Sequence, residues 1–181
     1  MKLQYALSPV ALCALAFVAR AQQPAASPQP AAPPPQPPPA ACASAEFRAF
    51  DFWIGTWKVT DAKGNEIGAS EITRVSNSCA VREQWSTPRG GNGTSLNFYE
   101  KQTGKWNQLW VGGGGQILRL AGGLEGKAMV LSGESAGASV SVLNRITWTP
   151  LADGRVEQKW DTSADGGKTW QTSFVGYYAR R

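Results

Sequence analysis

The chain contains no histidine, and that absence removes much of the usual chemistry before any motif is read. Histidine supplies the common general base near neutral pH, the partner that activates serine and cysteine nucleophiles, and the commonest metal ligand. Cys42 and Cys79 cannot complete a tetrahedral zinc site by themselves. The sequence thus predicts no metal, no cofactor and no catalytic set. What remains is a polar quartet, Glu83, Gln108, Asn144 and Gln158, each two or four residues from a tryptophan. Glu83 is its one acid. A desolvated carboxyl can act as an acid or base without histidine, but hydrolysis by paired carboxylates needs a second acid that the quartet lacks.

Other motifs read as structure. Gly112–Gly115 has no following helix to present amides to a phosphate, and Gly126-Lys127-Ala128 lacks the hydroxyl residue of a P-loop. Asn92-Gly-Thr94 fits a glycosylation acceptor, although Asn-Gly is first of all a turn. Ser163-Ala-Asp-Gly-Gly-Lys-Thr-Trp170 resembles the Asp-box of sialidase propellers, where the aspartate braces a hairpin and carries no catalysis.

The elements that position the quartet are short. Ser44 to Phe52 fits a small helix. Ten segments rich in Trp, Val, Ile, Thr and Tyr then alternate with turn clusters: Trp53–Thr60, Glu66–Val75, Ala80–Thr87, Thr94–Glu100, Lys105–Val111, Gln116–Gly122, Lys127–Gly133, Ser139–Thr149, Arg155–Asp161 and Thr169–Ala179. Links this short join antiparallel neighbours, because a parallel crossover needs about a dozen residues or more. The expected fold is all-β: an up-and-down meander closed into a barrel, since closure removes the exposed edges. A two-sheet sandwich is the rival, and it needs longer Greek-key links.

Alternate side chains of a strand face opposite sides. One parity reads Val81-Glu83-Trp85, Trp106-Gln108-Trp110, Asn144-Ile146-Trp148, Val156-Gln158-Trp160 and Gly55-Trp57-Val59. The other reads Arg82-Gln84, Leu143-Arg145-Thr147 and Arg155-Glu157-Lys159-Asp161, which belongs in water. The interior is therefore aromatic, with the polar quartet pointing inward. Buried polar groups need partners, so these four either bond one another or line a wet cavity. In the second case Glu83, Gln108, Asn144 and Gln158 orient a small, partly apolar ligand against Trp85, Trp106, Trp110, Trp148 and Trp160. The alternatives are a filled structural or interaction module and an enzyme using Glu83 as acid or base.

The amino terminus reads as an export signal over residues 1–21: Lys2, an apolar stretch from Ala6 to Val18, then Ala19-Arg20-Ala21 for cleavage. The stretch is too short to span a bilayer, so after cleavage no spanning segment is expected and the protein is periplasmic or secreted. An uncleaved anchor is the alternative. Residues 22–41, almost all Pro, Ala and Gln, form an extended polyproline tether. Residues 42–181 suffice for one core. Removing Lys2 and Arg20 takes the formal charge from +5 to +3, and the basic residues are scattered singly apart from Arg180-Arg181, against a nucleic-acid partner. Cys42 and Cys79 make an even pair in an oxidising compartment, which favours a disulfide.

Phe50-Asp-Phe-Trp-Ile-Gly-Thr-Trp57 carries Gly-x-Trp at the head of the first strand, and Arg180-Arg181 follows the last strand. Together these resemble the calycins: lipocalins, fatty-acid-binding proteins and nitrobindin-like barrels. The resemblance implies that Trp57 closes one end of the barrel beneath Arg180 or Arg181, a cation–π contact. Gly104-Lys-Trp-Asn-Gln-Leu-Trp-Val111, Arg145-Ile-Thr-Trp-Thr-Pro150 and Asp165-Gly-Gly-Lys-Thr-Trp170 are similar to pieces of uncharacterised secreted bacterial lipocalin-like domains. That likeness runs from Phe47 to Arg181 and implies a fold without an activity. Nitrobindin-like barrels hold haem through a histidine, which this chain lacks.

Overall fold

The computed structural model describes residues 41–136 and 141–181. The expected export signal lies outside these, as does the tether except for its last residue. Among the described residues, ten strands follow a short helical entry: β1 Gly55–Thr60, β2 Glu66–Val75, β3 Ala80–Ser86, β4 Asn92–Glu100, β5 Lys105–Gly112, β6 Ile117–Glu125, β7 Ala128–Ala136, β8 Ser141–Pro150, β9 Val156–Ser163 and β10 Gln171–Arg180. Each pairs antiparallel with its neighbour in sequence, and β10 pairs with β1, so the meander closes into a barrel. The two-sheet alternative is excluded by that closure. No helix among the described residues is long and apolar enough to cross a membrane.

The entry departs from a single helix. Ala45–Arg48 forms one turn (α1), and Asp51–Trp53 forms a 3-10 turn, separated by Phe50 at φ −102° and ψ 10°. That break turns Phe50 and Trp53 into the barrel, where both are fully buried. Phe50 stacks on Trp53 at 4.9 Å and meets Trp148 edge-on at 5.1 Å and Trp106 at 5.6 Å. Trp57, Met129 and Tyr178 complete this floor. Aromatic pairs in such offset and edge-on arrangements contribute about 0.5–1.5 kcal/mol each beyond area burial. One end of the barrel is solid.

Two fastenings hold the entry in place. Cys42 and Cys79 are bonded, tying the segment before α1 to the start of β3 across a separation of 37 residues. Arg48 donates to the carbonyls of Cys42 and Ser78, bracing both sides of the bridge. At the other seam Trp57 stands opposite Arg180 in register, and the guanidinium lies 4.5 Å from the indole centroid. Gly55, at φ +150°, makes that stack possible: a Cβ there would meet Arg180 Nη1 at 2.5 Å. Arg181 turns outward to Glu66, at 3.2 Å.

Strand parity sorts most of the side chains, and the exception among the charged ones is Asp161. Val81, Glu83, Gln108, Asn144, Ile146 and Val156 are buried, while Arg82 and Gln84 are exposed. Asp161, on the parity expected in water, is only 4 % exposed. It sits on the outer face but is roofed by its neighbours. Thr172 donates to it at 2.8 Å, Lys159 and Arg145 reach it at 3.2 and 3.5 Å, and Arg145 is itself pinned 4.2 Å above the Trp170 ring. A carboxylate on a polar face can be buried by its own counter-ions.

Candidate ligand-binding cavity

Phe50 and Trp53 of the entry segment help fill the base, and among the described residues no equivalent segment enters the opposite half. A cavity of about 150 Å³ remains there, lined by Glu83, Trp85, Gln108, Trp110, Gln116, Leu118, Ile146, Gln158, Trp160, Phe174 and Tyr178. Cavities of that size hold a benzene-sized molecule. The hollow survives because indoles hug the wall. Trp110 packs over Gly93 of the adjacent strand, and Trp85 likewise packs over Gly68. Trp85 also meets Phe174 of β10 edge-on at 6.2 Å, a contact between strands that are not neighbours.

Six of the nine residues proposed as ligand contacts converge on this cavity: Glu83, Trp85, Gln108, Trp110, Gln158 and Trp160. Trp106, Trp148 and Asn144 do not line it. Trp148 is buried among Phe50 and Trp53, and Trp106 donates to the Glu46 carbonyl at 3.0 Å. Asn144 is spent on structure: it accepts from Trp160 Nε1 at 3.0 Å and donates to Ser135 and Val142 at 2.9 and 3.0 Å. Gln116, Leu118, Ile146, Phe174 and Tyr178 complete the lining.

The polar groups form a chain along the wall. Ser70 and Ser95 each donate to Glu83 at 3.0 Å, one to each carboxyl oxygen. Asn97 donates to Ser95 at 2.9 Å and accepts from Gln108 Nε2 at 2.8 Å. Gln158 accepts from the Tyr178 hydroxyl. The two rival accounts of the quartet therefore both apply, to different residues: Asn144 belongs to a bonded network, whereas Glu83, Gln108 and Gln158 are bonded and also face the cavity.

Ser70, Ser95 and Asn97 had escaped the sequence reading. Their strands carry no tryptophan, so the indole parity that marked the other strands was silent there. The alternation Ser95-Asn97-Tyr99, opposite Glu83 and Val81 in the hairpin that follows, is the signal that would have found two of them.

Burial pushes the Glu83 carboxyl up to about 7, and the bonds from Ser95 and Ser70 offset only part of that desolvation. The Tyr178 phenol is pushed well above its ordinary value by burial first and by the nearby Glu83 charge second. Glu83 therefore changes charge near neutral pH while Tyr178 stays neutral. Among the described residues no three His, Cys, Asp or Glu side chains are placed to hold a metal ion.

The Asp-box segment is a brace. Asp165 accepts from the Thr169 amide at 2.9 Å and its hydroxyl at 2.6 Å, and Ser163 donates to it at 2.7 Å. These bonds, those from Thr169 foremost, hold its carboxyl at about 2. Trp170 closes the turn by donating to the Gly167 carbonyl at 3.1 Å.

Comparison with models of known protein families finds no match, and neither does comparison with curated proteins.

Proposed function

We propose that this protein is an exported calycin-like barrel that holds a small, partly apolar ligand in the open half of its interior. The observation that carries the reading is the cavity of about 150 Å³ whose aromatic walls meet Glu83, Gln108 and Gln158. Small-molecule sites combine apolar walls with a few fixed polar groups. The calycin likeness draws support from the closed meander and from the Trp57–Arg180 stack at the sealed end. Export draws support from the Cys42–Cys79 bond, since disulfides persist in oxidising compartments.

The test is direct, because three cavity walls are tryptophans. A panel of lipophiles and metabolites is titrated while indole emission and melting temperature are followed. Binding shifts both; a panel that shifts neither overturns the reading. The bonded amides of Asn144 and Asn97 and the solid floor favour a second reading, a structural module with no ligand, and a silent panel is its expected result.

A further inference from the structure

We propose that the cavity selects small organic cations, a quaternary ammonium or a protonated amine, with Glu83 as counter-charge and Trp85, Trp110, Trp160 and Phe174 as an aromatic cage. The proposal deepens the ligand-binding reading and rests on it.

The argument begins with sign. The chain is basic, with 18 Lys and Arg against 13 Asp and Glu, yet the cavity lining holds one acid and no base. Among the described residues two arginines share the inward parity, and both sit at the sealed end: Arg74 pairs with Asp51, and Arg180 lies on Trp57. A buried carboxylate without a basic partner is costly. Ser70 and Ser95 fix its two oxygens but bring no positive charge. A cation entering the cavity supplies the missing partner.

The walls point the same way. The face of an aromatic ring carries the negative part of its quadrupole, and cations bind over it more strongly once both are desolvated. Indoles do this best, and three of the four cage rings are indoles. Gln108 donates one of its two amide hydrogens to Asn97, and its carbonyl oxygen is an acceptor for an ammonium N–H. An anion would meet the Glu83 carboxylate and find no basic side chain among the described lining residues. The volume confines the guest to about the size of one benzene ring.

Choline and 3,3-dimethylbutan-1-ol have the same shape and differ in carrying N⁺ or carbon at the centre of the branched group. Both are titrated calorimetrically into the full chain at pH 8 and low salt. Choline is expected to bind at least ten times tighter, and Glu83→Gln to bring the ratio near one without weakening the alcohol. A wild-type ratio near or below one overturns the proposal and leaves the ligand-binding reading standing. The same holds if neither compound binds while other neutral compounds shift indole emission. If nothing in the panel binds, both fall. Should Glu83→Gln not fold, the wild-type ratio is measured at pH 5.5 and pH 8. Tyr178 is the other titratable group facing Glu83 and stays neutral throughout, while Ser70 and Ser95 do not titrate. The ratio should fall at pH 5.5, and a ratio independent of pH overturns the proposal.

Discussion

The six-membered ring of Trp110 rests on Gly93 of the adjacent strand, so close that a Cβ there would come within 2.3 Å of the indole. The three nearest atoms that such a Cβ meets all belong to Trp110, so Gly93→Ala is expected to push the ring off the wall and into the cavity. The expected cost is about 1–3 kcal/mol, as for other overpacked sites, together with weaker binding of any cavity ligand. Urea denaturation and ligand titration of the variant check both. Unchanged affinity would mean that the ring yields sideways and the hollow does not depend on this glycine.

The tryptophans divide into floor and wall, and their truncations should divide likewise. Trp148 is fully buried against Phe50 and Trp53, so Trp148→Ala is expected to cost about 3–5 kcal/mol. Trp85 is half-buried beside a cavity, and Trp85→Ala should cost well under half as much while weakening ligand binding more. Equal losses of stability would contradict the division.

Glu83 ties stability to pH with a definite sign. Below the ordinary value of 4.5 the carboxyl is protonated in both folded and unfolded chains. Between there and about 7 the unfolded chain releases its proton while the folded protein keeps it. Stability therefore falls across that window, by about 1.4 kcal/mol per unit and about 3 kcal/mol in all, then levels off. Urea midpoints at pH 5 and pH 8 measure the drop, and Glu83→Gln should remove most of it. An equal drop in the variant would assign the effect elsewhere.

Arg180 and Arg181 are neighbours with different tasks. Arg180 lies on Trp57, whereas Arg181 reaches Glu66 on the surface. Arg180→Ala should cost about 0.5–1 kcal/mol from the lost cation–π contact alone, and more if the Trp57 ring is exposed to water. Arg181→Ala breaks an exposed pair, worth about 0–1 kcal/mol and sensitive to salt. Thermal melts at low and high salt separate the two: the Arg180 effect should persist when salt is raised.

Turn clusters and short links carried the fold, and indole parity carried its lining, because a side chain as large as tryptophan has to choose a face, and it chose the same one in five strands. The height of each residue along the barrel was not legible. Trp106 and Trp110 share a strand and a face, yet one lies in the solid floor and the other on the cavity wall. What separates them is Phe50, delivered from outside the sheet by a break in the helical entry. Parity was silent where the buried groups are small, so Ser70 and Ser95 escaped notice although they hold Glu83. It misled at Asp161, where Arg145 and Lys159 bury a charge that alternation assigns to water.

Hydrogen bonding between β1 and β10 also has a consequence in time. A ribosome delivers Trp57 long before Arg180, so the staves cannot be hooped until β10 has been made. Until then the nascent sheet has two raw edges, and Trp53 waits without Tyr178 beside it. Contacts between residues far apart in sequence slow folding, and unpaired edges invite aggregation. The interval before β10 arrives is when the sheet's edges are most open to pairing with another chain.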